Sequence, residues 1–176
     1  MTQSGTEKQD AFKAVSTTKH YMKQADTTLR PVIMRISNRI HIWDKLGRLN
    51  HKATHDPIIW SGRDHNTAAD AVCNYILDKQ IDNHHYTANN YTDFVNRRAN
   101  IFIQSDRACR AGKISSVGWK IKAINPTLQH SIMMSYGGTR IYKGMPSLVI
   151  EAIALDQATD QLHKMIMAIL TNNPQQ

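Results

Sequence analysis

The segment Ile101-Phe102-Ile103-Gln104-Ser105-Asp106 constrains this chain more than any other, because an apolar, β-prone run delivers a carboxylate directly at its end. Two further segments have strand character. Ser116 to Ile124 alternates around Val117, Trp119 and Ile121, and Gln129 to Tyr136 can supply a third strand. The turns between them, Ala111-Gly112-Lys113 and Asn125-Pro126, suit an antiparallel meander. Pro146-Ser147 then opens a long helix to about Leu170, with Leu148, Ala152, Leu155, Leu162, Ile166 and Ile169 on one face. The expected fold is α/β, with Ile101 to Ser105 as an internal strand and this helix packed on its sheet.

The first half of the chain has a different pattern. Val32, Ile33, Ile36, Ile40 and Trp43 recur at threes and fours, which predicts a helix with Arg35 and Arg39 on a separate, basic face. Gly47 to Asp56 reads as a loop and Pro57 to Trp60 as a short buried strand. Asn66 is placed to cap a helix from Thr67 to about Lys79, whose apolar stripe is Ala69, Val72, Cys73 and Ile76. Residues 82–98 are rich in Asn, His, Tyr and Asp without periodicity, so residues 82–99 read as a linker between a unit 1–81 and a unit 100–176.

The 176 residues carry a formal net charge of +8, with a pI of about 9.6, which favours a polyanionic partner. Cys73 and Cys109 are too few for a disulfide framework. His84-His85 and these cysteines lack zinc-ligand spacing. Met1 to Asp10 has no apolar core of a signal peptide, and no apolar run approaches the ~20 residues needed to cross a bilayer. A soluble, intracellular protein with no membrane partner is expected.

Acidic residues in costly positions point to chemistry. Asp106 at the end of an apolar strand would cost several kcal/mol to bury unpaired, roughly, unless it met a cation or strong donors. Either it binds metal or it is a solvated strand-end residue. Helical spacing turns Glu151 toward the face of Leu148 and Leu155, whereas Asp156 and Asp160 fall roughly 140° and 180° away, on the outer face. Glu151 and Asp70 also lie in the first turns of their helices, where an acid interacts favourably with the helix dipole.

These residues resemble a known family. Ile101 to Arg110, the strand Val117-Gly118-Trp119-Lys120-Ile121 and Glu151-Ala152-Ile153-Ala154-Leu155 look like the opening half of a ribonuclease H domain of the retroelement, reverse-transcriptase-associated type. The resemblance makes Asp106 and Glu151 the first two catalytic carboxylates. Arg63-Asp64-His65-Asn66-Thr67-Ala68-Ala69-Asp70 resembles the start of the family's last helix, which makes Asp70 the fourth. Asp10, followed by Lys13-Ala14-Val15, is similar to the segment that begins with the third. The halves stand in the order closing, then opening. The expected fold is thus a ribonuclease H-like mixed sheet with flanking helices, either circularly permuted or formed at the junction of two truncated copies.

The sequence departs from the family in having Arg107, not a small residue, after Asp106, and in having no apolar strand before Asp10. If all four acids meet, the resemblance implies two Mg²⁺ ions (or Mn²⁺), about 3.5 to 4 Å apart, hydrolysing the RNA strand of an RNA–DNA hybrid. His65, beside Asp70, would assist proton transfer or product release. Arg30, Arg35, Arg39, Lys45, Arg48 and Lys52, together with Arg110 and Lys113, are candidates for phosphate contacts. The alternatives are a catalytically inactive module that binds nucleic acid or a protein partner, and a fragment that self-associates through incomplete sheet edges.

Overall fold

The computed structural model describes residues 27–49, 66–92, 100–110, 114–125, 130–142 and 144–172. In chain order these form helix α1 (Leu29–Lys45), helix α2 (Thr67–Lys79), strands β1 (Asn83–Thr87), β2 (Asn100–Arg110), β3 (Ile114–Ile124) and β4 (Ser131–Ile141), and helix α3 (Ser147–Asn172). The architecture is mixed α/β, built on a four-stranded antiparallel sheet ordered β1-β4-β3-β2.

The expected meander is present as β2-β3-β4. Within the segment expected to be a linker, however, Asn83–Thr87 is a strand that pairs along β4 from Asn83 opposite Thr139 to Thr87 opposite Ser135. The segment lacks an apolar alternation because neither face of β1 is deeply buried. Its rings pack sideways on neighbouring strands instead, His85 edge-on to Trp119 and Tyr86 stacked on Tyr136. Nor is β2 internal among the described strands; it ends the sheet, with Ile101 and Ile103 packed on the α3-side core and Phe102 turned to the other face. The Pro57 to Trp60 segment lies outside the described residues.

Helices cover both faces. On one, β3 turns Val117, Trp119, Ile121 and Ala123 toward α3, where Ala158, Leu162, Met165, Ile166 and Ile169 complete the main core with Met134 and Trp43. Each fully buried aliphatic side chain there contributes about 1.5–3 kcal/mol. On the other face α2 lies so close to the sheet that a Cβ on Gly118 would stand 2.6 Å from the Ala69 carbonyl oxygen and 2.8 Å from Cys73 Sγ. Gly118 and its neighbour Gly138 pair across β3 and β4, and together they form the flat floor that admits the helix.

The long helix has two buried sides, not the single stripe expected. Ile150, Ala154, Ala158 and Leu162 meet the sheet, whereas Leu148, Val149, Ala152 and Leu155 pack against Leu29, Val32, Ile33 and Ile36 of α1. Because α1 covers that side, Asp156 is buried, not turned outward as the helical wheel suggested. Arg39 Nη1 meets Asp156 Oδ1 at 2.5 Å and Arg35 Nη2 meets Oδ2 at 2.6 Å.

Candidate functional site

Strand alternation decides what the candidate carboxylates can do together. Asp106 pairs with Gly118, the residue against which α2 is packed, so its side chain belongs to the α2 face of the sheet. It is 4% exposed, and its Oδ1 accepts the Arg107 backbone N–H at 2.8 Å. Two side chains, one on α2 and one at its N-cap, tie this part of β2 to the helix: Cys73 Sγ donates to the Asp106 carbonyl at 3.2 Å, and Asn66 Nδ2 donates to the Ser105 carbonyl at 2.8 Å. Asn66 thus holds the N-cap position, but its side chain reaches the sheet and makes no cap hydrogen bond.

Arg107 is one residue along, pairs with Val117, and belongs to the α3 face. Its Nε donates to Glu151 Oε1 at 3.1 Å, with both side chains mostly covered. Asp106 and Glu151 are therefore held on opposite faces of one sheet. Glu151 is placed beside β2 as its helical position suggested, but it is turned to a guanidinium.

Asp70 stands on α2, exposed at the first turn, with its backbone N–H donating to the Asn66 carbonyl at 3.1 Å. It shares the α2 side with Asp106. Both carboxylates act on Cys73: burial raises the thiol pKa most, and the charges of Asp106 and Asp70 raise it further. Cys73 is thus a buried, protonated packing residue and no nucleophile. Asp10 and His65 lie outside the described residues. Among the described residues no three His, Cys, Asp or Glu side chains come together as a metal-ligand set. With Asp106 and Glu151 on opposite faces, the donors present do not fit the four-acid, two-metal centre.

The basic candidates are divided as well. Arg35 and Arg39 both hold Asp156, Arg39 mostly buried and Arg35 half exposed, and Arg39 also meets Asp160 at 3.0 Å. Burying Asp156 between the helices required those partners. Arg110 bonds Asn74 and Asp78 on α2. Arg48 is exposed beyond the end of α1, while Lys52 and Lys113 lie outside the described residues.

Among the described residues, α2 covers only part of its side of the sheet. One cross-strand row there reads Tyr86, Tyr136, Lys120, Gln104 from β1 to β2, and the next reads Met133, Lys122, Phe102. Tyr86, Phe102 and Met133 are 47%, 45% and 41% exposed. Rings run on from the first row toward the helix, with centroids 5.3 Å apart for Tyr86 and Tyr136, 5.4 Å for Tyr136 and His84, and 5.2 Å for His84 and Tyr75. Lys122 Nζ lies over the Phe102 ring at 5.9 Å. The signal was present in the alternation Trp119-Lys120-Ile121-Lys122, whose even positions are basic while its odd positions are apolar.

No protein-family model matches the chain, and no curated protein or solved structure is significantly similar to it. Among the described residues no helix is long and apolar enough to cross a membrane.

Proposed function

We propose that this chain is a ribonuclease H-like, nucleic-acid-binding module that holds a polyanion without cleaving it. The observation that carries this reading is the division of Asp106 and Glu151 between two faces, with Glu151 bonded to Arg107. Two-metal hydrolysis needs carboxylates from different elements converging on one point, so that both ions contact the same phosphate. A carboxylate tied to a guanidinium on the far side of a sheet does not meet that requirement. The net charge of +8 supports the binding half of the reading.

The test is a pair of assays on the purified full chain. Binding of an RNA–DNA hybrid is expected to weaken steeply between low and high salt, because cations on the protein displace counterions from phosphates. Incubation of the same hybrid with Mg²⁺ or Mn²⁺ is expected to leave the RNA strand intact. Salt-independent retention, or retention of neither the hybrid nor its single strands, removes the binding claim; cleavage lost in Asp106→Asn removes the non-catalytic claim.

A second reading, RNA-strand hydrolysis by a permuted ribonuclease H-like site using Mg²⁺, is favoured by one observation: Asp70 stands on α2, the helix that covers the Asp106 face of the sheet and is bonded to Asp106 through Cys73. On that reading cleavage depends on Asp70 and Asp106 and is insensitive to Glu151→Gln.

A further inference from the structure

We propose that the sheet face beside α2, left uncovered by the other described helices, is a stacking platform for single-stranded nucleic acid, with Tyr86, Tyr136 and Phe102 receiving bases and the half-buried Lys120 and Lys122 receiving the backbone phosphates. The inference rests on the polyanion-binding reading above and names the ligand and the surface.

Geometry supplies the first argument. Neighbouring strands lie about 4.8 Å apart, so a row crossing all four strands runs about 14 Å, a length that suits two or three splayed nucleotides. The residues in these rows alternate in kind, with tyrosines at the β1-β4 end, lysines on β3 and Phe102 on β2. A chain crossing the face from β1 to β2 meets rings, then cations, then a ring. Every base has a π-face, so such a surface is sequence-tolerant.

Cross-strand aromatic pairs also stabilise sheets, and the Tyr86–Tyr136 stack does so here. That role does not account for Phe102 and Met133, which expose nearly half their surface beside two lysines. An apolar protein partner would leave Lys120 and Lys122 desolvated against it, whereas a phosphate backbone complements them.

A duplex fits this face poorly. Its bases are stacked on one another and offer no free face to a ring, so it can engage the lysines alone. Single strands are therefore expected to bind more tightly than a hybrid of equal length. RNA and DNA strands are expected to bind comparably, because rings and ammonium groups read base faces and phosphates, not the 2′-hydroxyl.

The test is fluorescence anisotropy with the full chain and end-labelled oligo(U), oligo(dT) and an RNA–DNA hybrid of the same length. Tyr86→Leu and Phe102→Leu keep apolar bulk but lose the flat ring, and each is expected to weaken single-strand binding about fivefold or more. Tyr86→Phe is expected to bind as the parent does. Lys120→Ala with Lys122→Ala is expected to flatten the salt dependence, whereas Arg48→Ala, at the far end of α1, is expected to weaken binding less. Circular dichroism and unfolding midpoints confirm that each variant is folded. If single strands bind but the folded ring variants match the parent, the platform is overturned while polyanion binding stands. If the hybrid binds as tightly as the single strands, the platform is likewise overturned. If no nucleic acid binds, both proposals fail.

Discussion

Arg39 and Asp156 are joined across the α1–α3 interface, Nη1 to Oδ1 at 2.5 Å, with 13% and 12% of their side chains exposed. Arg39 Nη1 also donates to the Asp156 carbonyl and to Thr159 Oγ1, so the guanidinium fastens a turn of α3 as well as a charge. Removing Asp156 takes from the mostly buried Arg39 its buried counter-charge and leaves it the more exposed Asp160. Asp156→Ala is therefore expected to destabilise the protein by about 3 kcal/mol in denaturant unfolding. Arg35→Ala, at a half-exposed position, is expected to cost under about 1 kcal/mol. Equal costs for the two variants would show that the interface is not held by the buried charge. For the same reason, charge reversal at Arg39 would test folding before it tested nucleic-acid binding.

Gly118 sets how closely α2 approaches the sheet, and that approach keeps Asp106 buried. Gly118→Ala places a methyl 2.6 Å from a backbone oxygen, which cannot give way as a flexible side chain can. A loss of about 1–3 kcal/mol is expected from overpacking. The lifted helix is also expected to raise Cys73 reactivity toward thiol reagents, since burial is the main cause of its raised pKa. A variant with parental stability and an unreactive Cys73 would show that α2 shifts freely.

Arg107 and Glu151 give a direct measure of whether the conspicuous glutamate is structural. Glu151→Gln is expected to cost about 1.5 kcal/mol, and a double-mutant cycle with Arg107→Met is expected to show coupling of similar size. Absence of coupling would free Glu151 for another role.

How far the sequence could be read depended on whether one element's own pattern decided the outcome. Thr67–Lys79 and the meander after residue 100 were legible, because apolar periodicity and turn residues specify them locally. The inward turn of Asp156 was not, since a helical wheel for α3 cannot know that α1 covers its second side. The division of Asp106 from Glu151 was half legible. Alternation along Asp106-Arg107 requires the two side chains to part, but which one faces α3 follows only from the register of Asp106 with Gly118. Strand β1 was hidden because its residues are polar and its packing is ring on ring.

His85 is expected to make that strand sensitive to pH. Its imidazole lies edge-on to Trp119, hydrogen-bonds Thr87 Oγ1 at 2.8 Å, and shares its surroundings with Lys164 of α3. Burial lowers its pKa most, followed by the charges of Lys164 and His84. With the folded value below the unfolded one, the unfolded chain binds the proton more readily, so stability rises with pH across that interval. The contribution is complete above the ordinary imidazole value of about 6.5 and is lost as pH falls through it toward the lower folded value. Unfolding midpoints measured from pH 8 to 5 are expected to fall on the acid side. His85→Phe keeps the ring against Trp119 but cannot titrate, so its midpoint is expected to fall less over the same range. Parallel pH profiles for the parent and this variant would assign the acid sensitivity to other groups and remove His85 as its source.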